Sequence, residues 1–105
     1  MFPNPLCTRT VTVYSLYWGQ VQRRVLEDCF YSYCDYCDGE RELRRFLLIA
    51  PHEIPLAPGD RVYDGVGPEK VDWENFLPGR LPGLSQVEQA TPCYIEGKFS
   101  HWEAK

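Results

Sequence analysis

Hydrophobic and polar positions alternate along much of this chain. In residues 10–17, TVTVYSLY, β-branched and aromatic side chains come in near alternation, with Val11, Val13 and Tyr17 on one face. A period of two is the signature of a strand, and Trp18-Gly19 breaks it. Residues 20–37 carry two signals. Val21, Val25, Leu26, Cys29, Phe30 and Tyr33 recur at helical spacing. The run CFYSYCDYC is nevertheless rich in strand formers and poor in helix formers. Asp38-Gly39 follows, a dipeptide suited to a two-residue hairpin turn. The next run, RELRRFLLIA, alternates through Leu43, Arg45, Leu47 and Ile49 until Pro51 stops it. The reading is two long strands joined at Asp38-Gly39, with a helix over 20–37 as the alternative.

Beyond Pro51 the elements shorten. Residues 55–60, PLAPGD, are turn chemistry, and Arg61-Val62-Tyr63 is a short strand ending near Gly65. Residues 66–83 carry Pro68, Pro78, Pro82 and several glycines, together with Val71, Trp73, Phe76, Leu77 and Leu81. Residues 85–94 and 98–104 read as a hairpin around Glu96-Gly97, which confines Pro92 to an edge or a bulge. Strand after short strand, punctuated by Pro and Gly, predicts a mainly β fold. We expect one domain over residues 1–105, a small barrel or sandwich of about six antiparallel strands with one long Pro/Gly-rich loop.

Composition sharpens this picture. Three Trp, seven Tyr and five Phe among 105 residues favour pleated, half-buried surfaces. A net charge of −4 argues against binding to a phosphate backbone, which needs a surplus of Lys and Arg. The longest apolar run, Phe46 to Ala50, is too short to span a bilayer. The first ten residues, MFPNPLCTRT, show no secretion signal, so a cytoplasmic setting with reduced thiols is expected. Five cysteines, an odd number, suit a closed disulfide framework poorly.

Candidate chemistry is sparse. Cys29, Cys34 and Cys37, with Cys93 far downstream, reproduce the plant-type iron–sulfur spacing C-x4-C-x2-C. The intervening FYSY and DY are bulky and lack glycine, whereas a cluster loop must wrap closely. A zinc site on Cys34 and Cys37 is a second reading, and reduced thiols packing as small hydrophobes a third. His52 lies in a Pro-flanked loop and His101 in the last strand, with no local partner to suggest acid–base work. Arg23, Arg24, Arg41, Arg44 and Arg45 are interleaved with Glu27, Asp28, Glu40 and Glu42, which makes a mixed, solvated face rather than a nucleic-acid surface. We therefore assign no catalytic residue, no metal ligand and no cofactor. Residues 66–83 are too long for a plain connection. Trp73, Phe76, Leu77 and Leu81 can fold back as a satellite core, form the apolar anchor for a partner, or do both, and we take them as the candidate interface.

Four short motifs keep their order along the chain: VTVY at Val11–Tyr14, W-x4-R-R-V at Trp18–Val25, PGDRV at Pro58–Val62 and SHWE at Ser100–Glu103. In these the chain resembles the small bacteriophage head–tail connector proteins of the minor capsid, or head-closure, type. The stretch CFYSYCDYC departs from that pattern. The resemblance implies a non-enzymatic structural protein located in a virion or in the bacterial host cytoplasm. Its partners would be further copies of itself in a homo-oligomeric ring and the portal and tail proteins, with no membrane and no sequence-specific nucleic acid. The alternatives are a small host cytoplasmic β-barrel adaptor and a Cys-ligated metal or iron–sulfur protein.

Overall fold

The computed structural model describes residues 8–38, 41–78 and 80–105; of residues 34–38 and 41–45 it describes the backbone alone. Seven strands follow one another: β1 (Arg9–Tyr17), β2 (Gln20–Asp38), β3 (Arg41–Ala50), β4 (Arg61–Asp64), β5 (Leu84–Gln86), β6 (Ala90–Ile95) and β7 (Lys98–Ala104). They form one curled, barrel-like antiparallel sheet in the order β5-β4-β1-β2-β3-β7-β6. Residues 20–37 are strand throughout, so the helical spacing there carries no helix. Strand formers decide the conformation, and long-range pairing on both sides of β2 fixes it.

The length of β2 is the organising feature. Its first part pairs with β1, from Tyr17 opposite Gln20 to Arg9 opposite Cys29. Its second part pairs with β3, from Phe30 opposite Ile49 to Asp38 opposite Arg41. The register slips between the two parts, where Arg9 and Val11 face Cys29 and Leu26, and Asp28 takes a φ of 58°. Aspartate tolerates this left-handed geometry better than most residues. Such a bulge bends and twists a strand, which lets β2 leave one partner and join the next. His52 braces the corner, its Nε2 lying 2.5 Å from the Glu27 carbonyl oxygen. Only residues 39 and 40 separate Asp38 from Arg41. The Asp38-Gly39 turn expected from sequence thus falls partly outside the described residues.

At the other end of the sheet, residues 85–94 are two strands and not one. The chain turns a corner at 87–89 because its backbone finds partners elsewhere. Val87 N–H donates to Asp60 O, and the N–H groups of Glu88 and Gln89 donate to Lys105 O. Those bonds tie the β5 edge to the end of β7. Pro92 lies on β6, an edge strand, where its missing N–H costs no ladder bond.

The inward faces of the curled sheet share one core, with Val11, Val13, Leu26, Tyr31, Leu48 and Val62 at its centre. Tyr31 reaches across to β5, its hydroxyl 2.8 Å from Ser85 Oγ. The opposite face of β1 is buried too: Thr12 and Tyr14 are as inaccessible as Val11. What covers them is the connection between β4 and β5. Phe76 packs edge-on against Tyr14, ring centroids 4.7 Å apart, and Leu84, Trp73 and Val71 complete a second small core.

Candidate functional site

The four residues singled out in the long connection have different fates. Phe76 is buried in the second core, Trp73 and Leu77 are half-buried, and Leu81 is partly exposed at the rim. The segment folds back as a satellite core around Phe76, while Trp73, Leu77 and Leu81 keep part of their surface in solvent. Four side chains of the sheet hold it down. Thr12 Oγ1 donates to Gly65 O and accepts from Gly67 N–H. Tyr14 Oη donates to Pro68 O at 2.6 Å. Arg23 donates to Pro68 O and Gly67 O, at 3.1 and 2.7 Å. Arg61 Nη1 donates to Trp73 O and Phe76 O, both at 2.6 Å, and its guanidinium stacks 3.8 Å from the Trp73 ring centre. Burial lowers the pKa of Arg61 from its ordinary value.

The PGDRV motif owes its residue types to the same construction. Gly59 takes a φ of 95°, Asp60 accepts the Ala57 N–H at 3.0 Å, and Arg61 clamps the connection. Burial raises the Asp60 carboxyl above its usual range, while the Ala57 hydrogen bond and the Arg24 charge act the other way. Arg23 is spent on internal contacts, and Arg24 is half-buried beside Asp60. The side chains of Arg41, Arg44 and Arg45 lie outside the described residues.

Other surfaces are exposed as well. β2 and β3 run beyond the rest of the sheet as a two-stranded arm. β1 pairs with β2 only up to Cys29, and β7 pairs with β3 only at Leu48–Ala50. Among the described residues, the outer edges of the arm have no ladder partner. Tyr33 and Leu47 stand partly exposed near its base. Beneath it opens a cleft of about 910 Å³, bounded by Tyr33 and Phe46 of the arm, by Pro78, and by residues 84–86, 88–89 and 105.

Two hairpin tips carry exposed apolar groups. Trp18 is fully exposed, with Leu16 and Tyr17 beside it, and Tyr94 and Ile95 flank the β6–β7 turn. Trp18 and Gly19 both have positive φ, as do Glu96 and Gly97, which is the two-residue geometry matching strand twist. Antiparallel order opens both tips at the end of the sheet opposite the Asp38–Arg41 end of the arm. In the sequence Trp18 served as a strand breaker and as the start of the W-x4-R-R-V motif, not as a contact residue. Its signal was a large aromatic at a turn position that calls for Gly or Asn.

One chemical cluster stands out among the described residues: Cys93, His101 and Glu103, with ligand atoms all within 4.8 Å of one another. Cys93 sits opposite His101 in the β6–β7 ladder, and Glu103 is two residues further along the same face. Partial burial and the Glu103 carboxylate raise the Cys93 thiol above its usual range. Cys29 is in the core, its thiol directed at the carbonyls of Leu26 and Glu27. It therefore does not join Cys93, while the side chains of Cys34 and Cys37 lie outside the described residues. Comparison with known proteins gives no family model, no curated relative and no solved structure that matches the chain. No helix of the described residues is long and apolar enough to cross a membrane.

Proposed function

We propose that this chain is a non-enzymatic structural subunit of a bacteriophage head–tail junction, acting by ring formation. The observation that carries this reading is the β2–β3 arm standing over an open cleft. Among the described residues the ribbon's outer edges have no ladder partner; such edges invite pairing, and a closed ring of identical subunits buries them without open-ended growth. Seven residues per strand at about 3.3 Å each give the arm a reach of roughly 23 Å, enough to lie in the cleft of the adjacent subunit. The exposed Trp18 and the Tyr94-Ile95 pair, at the opposite end, supply the aromatic anchors that interface centres favour. A subunit with contact surfaces at both ends suits a ring stacked between two others.

Mass spectrometry of phage particles purified after prophage induction tests the location. Ring-like copy numbers of this chain are expected, and absence from complete particles overturns the reading. Sedimentation of the purified chain tests the geometry. Replacing Tyr33 and Leu47 together with Ser, both partly exposed, leaves a folded chain that no longer assembles with itself or enters particles. Normal assembly by that variant excludes the arm as the contact.

A further inference from the structure

We propose that Cys93, His101 and Glu103 form a zinc-binding site on the outer face of the β6–β7 hairpin, with one coordination position left open. None of the three belongs to the arm or lines the large cleft beneath it. The donors are one sulfur, one imidazole nitrogen and one carboxylate oxygen, each within 4.8 Å of the others. In a tetrahedral zinc site, bonds of about 2.0 to 2.3 Å place ligand atoms roughly 3.3–3.8 Å apart. Small side-chain rotations close the difference.

The backbone has already done the assembling. Cys93 and His101 are directly opposed on hydrogen-bonded strands, and the register slip falls just beyond, between Cys93 and Tyr94. Ligands on a paired hairpin are held more closely than ligands on loops. Alternation puts the set on the face opposite Ala90 and Ala104, which pack in the core. The His101 side chain is only 16% accessible, whereas Glu103 is 51% accessible, so the cluster has a fixed floor and an open top.

The histidine is also oriented from behind. His101 Nδ1 lies 2.9 Å from Ser100 Oγ, and Nε2 faces Glu103 Oε1 at 3.7 Å. This second hydrogen bond is what metal-bound histidines commonly use to fix the ring and its tautomer. Thiolate and imidazole select zinc over magnesium or calcium, which prefer six or more oxygens. Thiolate and carboxylate together bring two negative charges, which a divalent ion neutralises. Three protein ligands leave a fourth position for water or for a donor from a partner.

Titration of the reduced full chain with Co²⁺, followed by displacement with Zn²⁺, tests the site. The expected result is one equivalent bound, with a thiolate-to-cobalt charge-transfer band and the visible bands of tetrahedral cobalt. Cys93→Ser should abolish the charge-transfer band, and His101→Ala should weaken binding at least tenfold while circular dichroism shows the strands intact. Ser100→Ala should weaken it by roughly tenfold, as loss of an outer-shell partner does. The Cys34→Ser/Cys37→Ser variant should bind as the unaltered chain does. Three results overturn the proposal: no binding by the unaltered chain, equal binding by Cys93→Ser, or loss of binding on replacing Cys34 and Cys37.

Discussion

Arg61→Met isolates the clamp that holds the long connection. Methionine keeps the aliphatic stem and removes the guanidinium from a residue only 8% accessible. Lost are two charge-assisted hydrogen bonds to Trp73 O and Phe76 O, each at 2.6 Å, and the stacking on Trp73 at 3.8 Å. Charge-assisted bonds contribute about 1.5–3 kcal/mol each, and a desolvated cation–π contact about 2 kcal/mol. Together these give about 5–8 kcal/mol of gross loss. Against this stands the cost of burying the charge, several kcal/mol for an ion taken from water, which methionine avoids. The carbonyls of Trp73 and Phe76 also lose their donor, and the second core around Phe76 loosens. We expect a net loss of about 3 kcal/mol, a large part of the total stability of a domain this size. Urea unfolding followed by circular dichroism measures it. Amide exchange should show Phe76, Arg80 and Leu81 opening before β1 and β2, because their bonds lie within the connection. A loss below about 1 kcal/mol with unchanged exchange in residues 71–84 would refute the role given to Arg61.

Two further perturbations probe the same construction. Gly67→Ala would set a Cβ against the Tyr14 hydroxyl, which is fixed by its bond to Pro68 O. A loss of about 1–3 kcal/mol in urea unfolding is expected, as for other overpacked sites, and an unchanged midpoint would contradict the packing described. Asp60 governs a pH dependence: its folded pKa is raised chiefly by burial, so its contribution is fully present below the unfolded value of about 3.9 and lost as pH rises through the folded value. The stability of Asp60→Asn relative to the parent chain should therefore improve as pH rises from below the unfolded value of about 3.9 towards neutrality. A relative loss over the same range would reverse the sign assigned here.

Much of the fold was written in local pattern. Alternation in residues 10–17, strand formers in CFYSYCDYC and the turn pairs Trp18-Gly19 and Glu96-Gly97 placed β1, β2 and β7, because side-chain period and turn conformation are local properties. The mainly β class followed from them. Pattern also showed that residues 66–83 had to do something, since so many apolar groups cannot lie in water.

Tertiary structure decided the rest. Alternation put Thr12 and Tyr14 on the face of β1 opposite Val11 and Val13, and only the return of the connection across β1 buries them. Phe76 read equally as core or as anchor until that return fixed it inside. The corner at 87–89 and the bulge at Asp28 depend on partners far along the chain, Lys105 for one and β1 and β3 for the other, so no window of sequence contains their cause. The cluster of Cys93, His101 and Glu103 is of the same kind. The spacing of Cys29, Cys34 and Cys37 gave no sign of His101 and Glu103 beside Cys93, because ligand spacing along a chain says nothing about which strands pair. Register set that cluster: with Cys93 opposite His101, alternation alone brings Glu103 to the same face.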